Sequence, residues 1–401
     1  MDLTYSEEDQ AFRAEVRGWL EEHLTGDWAA LRGLGGAGRD HEAHDERLAW
    51  NRLLAEHGWT CVGWPEEHGG RGLSLVQQMV FHEEYARADA PVRVNHLGEE
   101  LLGPTLMAFG TEEQQQRFLP EIVAVEELWA QGYSEPNAGS DLANVQTKAR
   151  LEGSPDDGEW VVDGQKVWTS NAHLSQWAFV LCRTEPGSQR HHGLSFLLVP
   201  LDQDGVEVRP IEQLTGGSEF NEVFFTGART RADLVVGEPG EGWQVAMALL
   251  GFERGVSVLA QVVGFTRELA GVVDLARDNG AIDDALFRDR LAELRVELDV
   301  MRFQALRGLS TDGGGGASIF KLVWANWHKR LGEVAMDVLG AEGLTAGAPY
   351  ELDRWQRLFL FSRSDTIYGG SDEVQRNILA ERVLGLPREP KGTPATREAR
   401  G

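Results

Sequence analysis

The hydrophobic period of this chain changes twice, from helix to strand and back to helix, and few folds accept that order. From Ser6 to His23 the apolar residues Phe12, Val16, Trp19 and Leu20 recur at helical spacing, and similar patterns run to about residue 125. Ser6 stands where an N-cap belongs. Between about Trp129 and Val236 the pattern shortens to β-branched and aromatic runs: Trp160-Val161-Val162, Phe179-Val180-Leu181, Leu194 to Val199, Val206-Glu207-Val208 and Glu222-Val223-Phe224-Phe225. Asp163-Gly164 and Asp204-Gly205 lie between such runs as hairpin signals, so the middle predicts an antiparallel sheet or small barrel. From Gly242 the helical period returns in segments 243–278, 284–309 and 318–340, with a last one after Ser371. The run Gly313 to Gly316 separates two of them, and Ser318 is a candidate cap for the second.

Long helices joined by short loops make a bundle. The fold class is therefore α+β: an α-helical N-terminal domain over residues 1–126, a central antiparallel β domain over 127–238 and a C-terminal four-helix bundle over 239–387. Residues 388–401, rich in Pro, Arg, Glu and Gly, read as a mobile tail.

Charge and cysteine use exclude several functions. A formal net charge of −26 repels nucleic acid phosphates and anionic lipid, so a polyanion can bind only where Arg and Lys gather locally. Cys61 and Cys182 are the only cysteines and have no CxxC spacing, which argues against a disulfide framework and a zinc site and points to a reducing cytoplasm. Residues 1–20 are polar and amphipathic, and no apolar stretch reaches membrane length, so neither export nor membrane insertion is expected. With 401 residues, 42% of them hydrophobic, the chain can enclose a large cofactor.

Some short patterns imitate chemistry. Gly33-Leu34-Gly35-Gly36-Ala37-Gly38 satisfies GxGxxG, but a helical segment precedes it where a dinucleotide fold needs a strand, so it reads as a loop. In His41-Glu42-Ala43-His44 the histidines are three apart with no third ligand in view, and solvated charge is the simpler explanation. His191-His192 beside Gly193 reads as a turn. No metal site is expected.

Three longer stretches say more: Tyr133-Ser134-Glu135-Pro136-Asn137-Ala138-Gly139-Ser140-Asp141, Gly164-Gln165-Lys166-Val167-Trp168-Thr169-Ser170-Asn171, and Ile367-Tyr368-Gly369-Gly370-Ser371-Asp372-Glu373-Val374-Gln375-Arg376-Asn377. They resemble the signatures of the acyl-CoA dehydrogenase family, in its order and at its separations, and the likeness extends from Tyr5-Ser6-Glu7-Glu8 to Arg382-Val383-Leu384-Gly385. The resemblance implies FAD held between the β domain and the bundle, an acyl-CoA substrate, and electron-transfer flavoprotein or a similar acceptor. It also implies a homotetramer, or a heterotetramer in which two kinds of chain share the sites. By the same resemblance Gln131, Tyr133, Ser134, Gly139, Ser140, Trp168, Ser170, Ser371 and Glu373 serve the flavin, with Trp168 over its face and Ser170 near N5. Without its neighbours Trp168 would read as a core tryptophan at a strand end. Ser140, Arg254 and Tyr368 match substrate-contacting positions. Arg277 and Gly340 are the nearest matches to residues that relatives lend to a neighbour's flavin, although Arg277 departs from the usual arginine spacing.

The base needs separate argument, because abstracting an α-proton from a thioester calls for a carboxylate in a dry pocket. Most relatives carry a Glu after the tyrosine of the last signature, and this chain has Gly369 there. A smaller group carries it on the first helix of the bundle, which here implies Glu253 among Leu249, Leu250, Phe252, Val256 and Leu259; Glu373 and Glu99 are next in line. Gly369 can still offer its N–H to the thioester oxygen. Two other readings keep the fold: a subunit with incomplete sites of its own, and a flavin oxidase or monooxygenase. A DNA-associated relative is disfavoured by the charge.

Overall fold

The computed structural model describes residues 5–36, 38–252, 257–309 and 316–388. Helix α1 (Glu7–His23) starts on Ser6, whose side chain accepts from Asp9 N while the Asp9 carboxylate accepts from Ser6 N, a reciprocal capping box. Helices α2 (His44–Glu56), α3 (Leu75–Arg87), α4 (Gly103–Phe109) and α5 (Glu112–Val123) follow. Val16, Leu20, Trp50, Leu54, Trp59 and Phe81 form one apolar core of this part. Arg13 crosses from α1 to Glu83 and Glu84 on α3 at 2.7 and 2.6 Å, so its buried charge is paired.

The strands β1 (Trp129–Gly132), β2 (Lys148–Glu152), β3 (Glu159–Ser170), β4 (Trp177–Arg183), β5 (Leu194–Pro200), β6 (Val206–Pro210), β7 (Phe220–Arg231) and β8 (Val235–Val236) form one sheet, in the order β6-β7-β3-β2-β4-β5-β8. The sheet is not wholly antiparallel, since β1 runs parallel to β4 from Trp129 opposite Trp177 to Gly132 opposite Val180. Neither hairpin signal makes a hairpin. Asp163-Gly164 lies inside β3, where the register against β7 shifts after Val162. Glycine is required there because a Cβ on Gly164 would come within 2.4 Å of Thr147. Asp204-Gly205 leads from β5 to β6, which pairs with β7 instead.

The last part holds α6 (Gly242–Phe252), α7 (Ser257–Asp278), α8 (Ala285–Leu309), α9 (Gly316–Leu339), α10 (Arg354–Ser362) and α11 (Asp372–Ile378). Val272, Leu294, Leu298, Met301, Trp327, Leu331 and Ala335 meet in its core. The described residues of the expected segment 243–278 are helical throughout, as α6 before residue 253 and α7 after residue 256. Ser318 is no cap, because α9 already begins at Gly316 and Ser318 is buried within it. Helix α10 was not expected from periodicity, since nine residues hold little periodic signal; its Asp353/Gln356 capping box was the available clue.

Two contacts bring the three parts to one place. Val245, Ala246 and Leu249 of α6 pack with Trp129, Phe179 and Phe196 of the sheet. A Cβ on Gly242 would sit 2.4–2.6 Å from the backbone of Ser195 and Phe196, so only glycine lets α6 start against β5. On the other side α3 packs against α7, with Met79 inside the bundle core.

Candidate active site

The end of β3 is built to turn one side chain out of the sheet. Lys166 pairs with Val223 and Thr169 with Asn221, so Val167 and Trp168 together face only Glu222. This bulge gives Trp168 a φ of +59°, a strained value for an aromatic residue, and leaves it 56% exposed and edge-on to Phe220. Val167 N–H meanwhile donates to Ser134 O at 2.9 Å, tying the first signature to the second. Pro136 and Asn137 form a turn closed by mutual hydrogen bonds of Glu135 and Ala138, after which Gly139 and Ser140 are exposed and a Cβ on Gly139 would meet nothing.

A buried ion pair locks these segments together. Lys166 Nζ donates to Tyr133 O at 2.9 Å, Leu181 O at 2.7 Å and the Glu135 carboxylate at 2.9 Å. Glu135 also accepts from Gln146 N at 2.6 Å and Thr147 N at 2.8 Å. Burial lowers the Lys166 ammonium and would raise the Glu135 carboxyl, but the Lys166 charge and those N–H groups hold Glu135 below the usual carboxylate range. Both residues lie within the stretches that carried the resemblance, yet no role was assigned to them; a lysine within a β-strand run was the available signal.

The same region keeps polar atoms without a protein partner. Gln131 Nε2, Thr169 Oγ1 and Asn171 Oδ1 are buried and unpaired among the described residues. A flat ring with donors and acceptors along one edge satisfies such atoms, which fits a flavin beside Trp168. Ser170 is half-buried and closes the strand opposite Phe220.

The third signature forms a turn before α11. Gly369 and Gly370 have φ of +60° and +84°, which glycine adopts at no steric cost. Gln375 Nε2 donates to Gly369 O at 3.0 Å, and Ser371 caps α11 by accepting from Val374 N. Tyr368 Oη donates to Asp365 at 2.7 Å, and Asp365 in turn meets His328 at 2.6 Å. Sequence reasoning missed His328 and Asp365 because they lie 37 residues apart with no motif between them.

Burial alone would lower the His328 imidazolium, but Glu268 and Asp365 outweigh it and push it up to about 10. The folded protein therefore holds this proton more tightly than the unfolded chain, so its stabilisation is complete below the ordinary value of 6.5 and is lost as pH rises through about 10. The thermal midpoint is expected to fall over that interval, and His328→Gln to flatten the decline. A wild-type midpoint constant across the interval would contradict the assignment.

The other residues singled out from the sequence are dispersed. Glu253 and Arg254 lie outside the described residues, directly after α6. Arg277 is exposed and pairs with Asp274 at 2.9 Å; it shares one end of the bundle with Gly340, where Asn279 Nδ2 donates to Val338 O. Glu373 is exposed, and its own backbone N–H and the Ser371 hydroxyl hold its carboxyl below the usual range. Glu99 is buried against Arg93 and accepts from Cys61 N. The glycine loop is a junction: Gly35, Gly36 and Gly38 donate to the carboxylates of Glu42, Asp40 and Glu219, leaving those N–H groups unavailable to a phosphate.

Family models match most of the chain. The acyl-CoA dehydrogenase N-terminal domain matches residues 6–126, the middle domain 130–228 and the C-terminal domain 240–384. The chain is 64% identical to acyl-CoA dehydrogenase IpdE1 of Mycobacterium tuberculosis over 386 residues, covering 96% of this chain and 99% of that one. It is similar to the solved Tcur3481-Tcur3483 steroid ACAD, with 31% identity, a TM-score of 0.83 and coverage of 97% and 100%. The ChsE4-ChsE5 complex from Mycobacterium tuberculosis is also similar, with 30% identity, a TM-score of 0.79 and coverage of 97% and 100%. With a bulged tryptophan, a locked β1–β3 corner and a glycine turn against the bundle, all on segments those models match, the chain belongs to the acyl-CoA dehydrogenase family and is an FAD-dependent enzyme.

Proposed function

We propose that this enzyme dehydrogenates a bulky acyl-CoA thioester between Cα and Cβ, with Glu253 as the base that takes the α-proton. The observation that carries the assignment is Gly369, at φ +60°, where most relatives place a carboxylate. Of the other candidates, Glu373 is exposed and held ionised, and Glu99 is engaged by Arg93. Glu253 is left, one residue beyond the apolar α6.

The bound flavin supplies the acceptor for the hydride equivalent leaving Cβ. The chain's own residues bind, orient and deprotonate. Trp168 covers the ring face, the Lys166–Glu135 pair holds the strand corner carrying Tyr133 and Ser134, and Gly369 N–H donates to the thioester oxygen as charge builds there. Arg254 and Ser140 steady the CoA portion, where a cation is needed in a protein of net charge −26.

Replacement of a glutamate side chain by Gly369 leaves volume beside the reacting carbons, and one similar structure is a steroid ACAD. Ring-bearing or branched thioesters are therefore the expected substrates. With an artificial electron acceptor, turnover on such thioesters should exceed that on straight short chains; a preference for butanoyl or hexanoyl thioesters would overturn this.

The chain works in an oligomer that closes each flavin site with Arg277 and Gly340 of a neighbour. Val296, Val300 and Phe303 form an exposed apolar stripe along α8, at 63%, 55% and 55% exposure, which calls for a partner. Similar complexes contain two kinds of chain, so a mixed tetramer is the second reading. Light scattering should give a mass near four chains; an active monomer would count against both assemblies.

A further inference from the structure

We infer that Asp365, His328 and Glu268 are positioning residues, a charged relay that holds the Tyr368–Gly369 turn at the angle its N–H needs to meet the thioester. The inference rests on the proposed role of Gly369 and goes beyond it, because the three residues belong to no signature stretch. Glycine-rich turns have no conformation of their own: Gly369 and Gly370 lack a Cβ, and both sit in the left-handed region. Something outside the turn must choose that geometry.

The structure supplies it from three helices. Tyr368 Oη donates to Asp365 Oδ1 at 2.7 Å, drawing the residue before Gly369 back onto the bundle. Asp365 Oδ2 accepts from His328 Nδ1 of α9 at 2.6 Å, and His328 Nε2 donates to Glu268 Oε2 of α7 at 3.0 Å. Lys321, also on α9, donates to the carbonyl oxygen of Asp365, and its ammonium lies 5.2 Å from the Tyr368 ring centre. From α11, Gln375 Nε2 holds Gly369 O at 3.0 Å. Phe265 lies 4.8 Å from the imidazole, ring centre to ring centre, and Trp324 lies 6.3 Å from the Tyr368 ring.

The Glu268 and Asp365 carboxylates both meet the His328 imidazolium, and the Lys321 ammonium bonds the Asp365 carbonyl oxygen. His328 and Asp365 are buried while Tyr368 is 40% exposed, so the relay runs from the bundle core to the surface the substrate would meet. Buried charges of this kind are costly to place and gain value when each partner is satisfied, which suits a part that must not move.

The test uses the FAD-loaded enzyme in its native assembly, comparing wild type with His328→Gln, Asp365→Asn and Tyr368→Phe. Two readouts decide it: the infrared carbonyl stretch of a bound ¹³C-labelled 2-enoyl-CoA, and the rate of flavin bleaching by substrate. A misaimed donor should return the stretch toward its free value and slow bleaching by about tenfold, less than full loss of an oxyanion donor, with FAD content within about threefold of wild type in all three variants and enoyl-CoA affinity likewise in His328→Gln and Asp365→Asn. Tyr368→Phe keeps every ion pair and should fold, so it decides the matter if His328→Gln does not. Should wild type itself show an unshifted carbonyl, the role of Gly369 is wrong and the relay has nothing to aim. With a polarised carbonyl in wild type and equally in the variants, the relay is merely structural and this inference fails alone.

Discussion

Glu253→Gln is expected to leave a yellow, FAD-loaded enzyme whose flavin bleaches with substrate at least about 10²-fold more slowly than wild type, the usual cost of a lost general base. Glutamine keeps the size and hydrogen bonding of the side chain but cannot accept the α-proton. The measurement is anaerobic stopped-flow bleaching, because it follows the arrival of reducing equivalents directly while the resting spectrum reports an intact site. Wild-type bleaching would remove Glu253 from the mechanism. Restoring a carboxylate at Gly369 is a poor rescue, since that residue holds φ of +60°, where a side chain costs about 1–2 kcal/mol.

Lys166→Met is expected to have the largest effect on folding. The side chain is fully buried and its three donors all have acceptors, so the change strands the Glu135 carboxylate and leaves Tyr133 O and Leu181 O without this donor. Breaking one side of a buried pair costs about 3–5 kcal/mol. For a protein of this size the thermal midpoint should fall by about 4–6 °C, and FAD retained per chain should drop with it, because the freed segment carries Tyr133 and Ser134. Adding Glu135→Gln should restore part of the loss by removing the stranded charge. Calorimetry and the flavin-to-protein absorbance ratio measure both effects; an unchanged midpoint and flavin content in Lys166→Met would show that the pair locks nothing.

The large divisions of the fold were legible in residues close together in sequence. The Ser6 cap needs only Asp9 three positions on, and the change from helical to strand period at Trp129 is a property of short windows. Glycine at 369, where the family resemblance leads one to expect a glutamate, was visible in the same way. Local signals misled where the partner was distant. Asp163-Gly164 carries hairpin chemistry, yet Thr147 and β7 draw it into a continuous strand. Ser318 is a good cap residue, but α9 starts two residues earlier.

What the sequence by itself determined was the order of helix, strand and helix and the family, because periodicity and contiguous motifs are written in neighbouring residues. Only the tertiary structure decided that Trp168 leaves the sheet through a bulge, that β1 runs parallel to β4, that Lys166 bonds Glu135, and that Glu268, His328 and Asp365 converge behind Tyr368. Each depends on groups far apart along the chain, brought together by the burial of apolar faces, and a buried charge finds its partner only after those faces have closed.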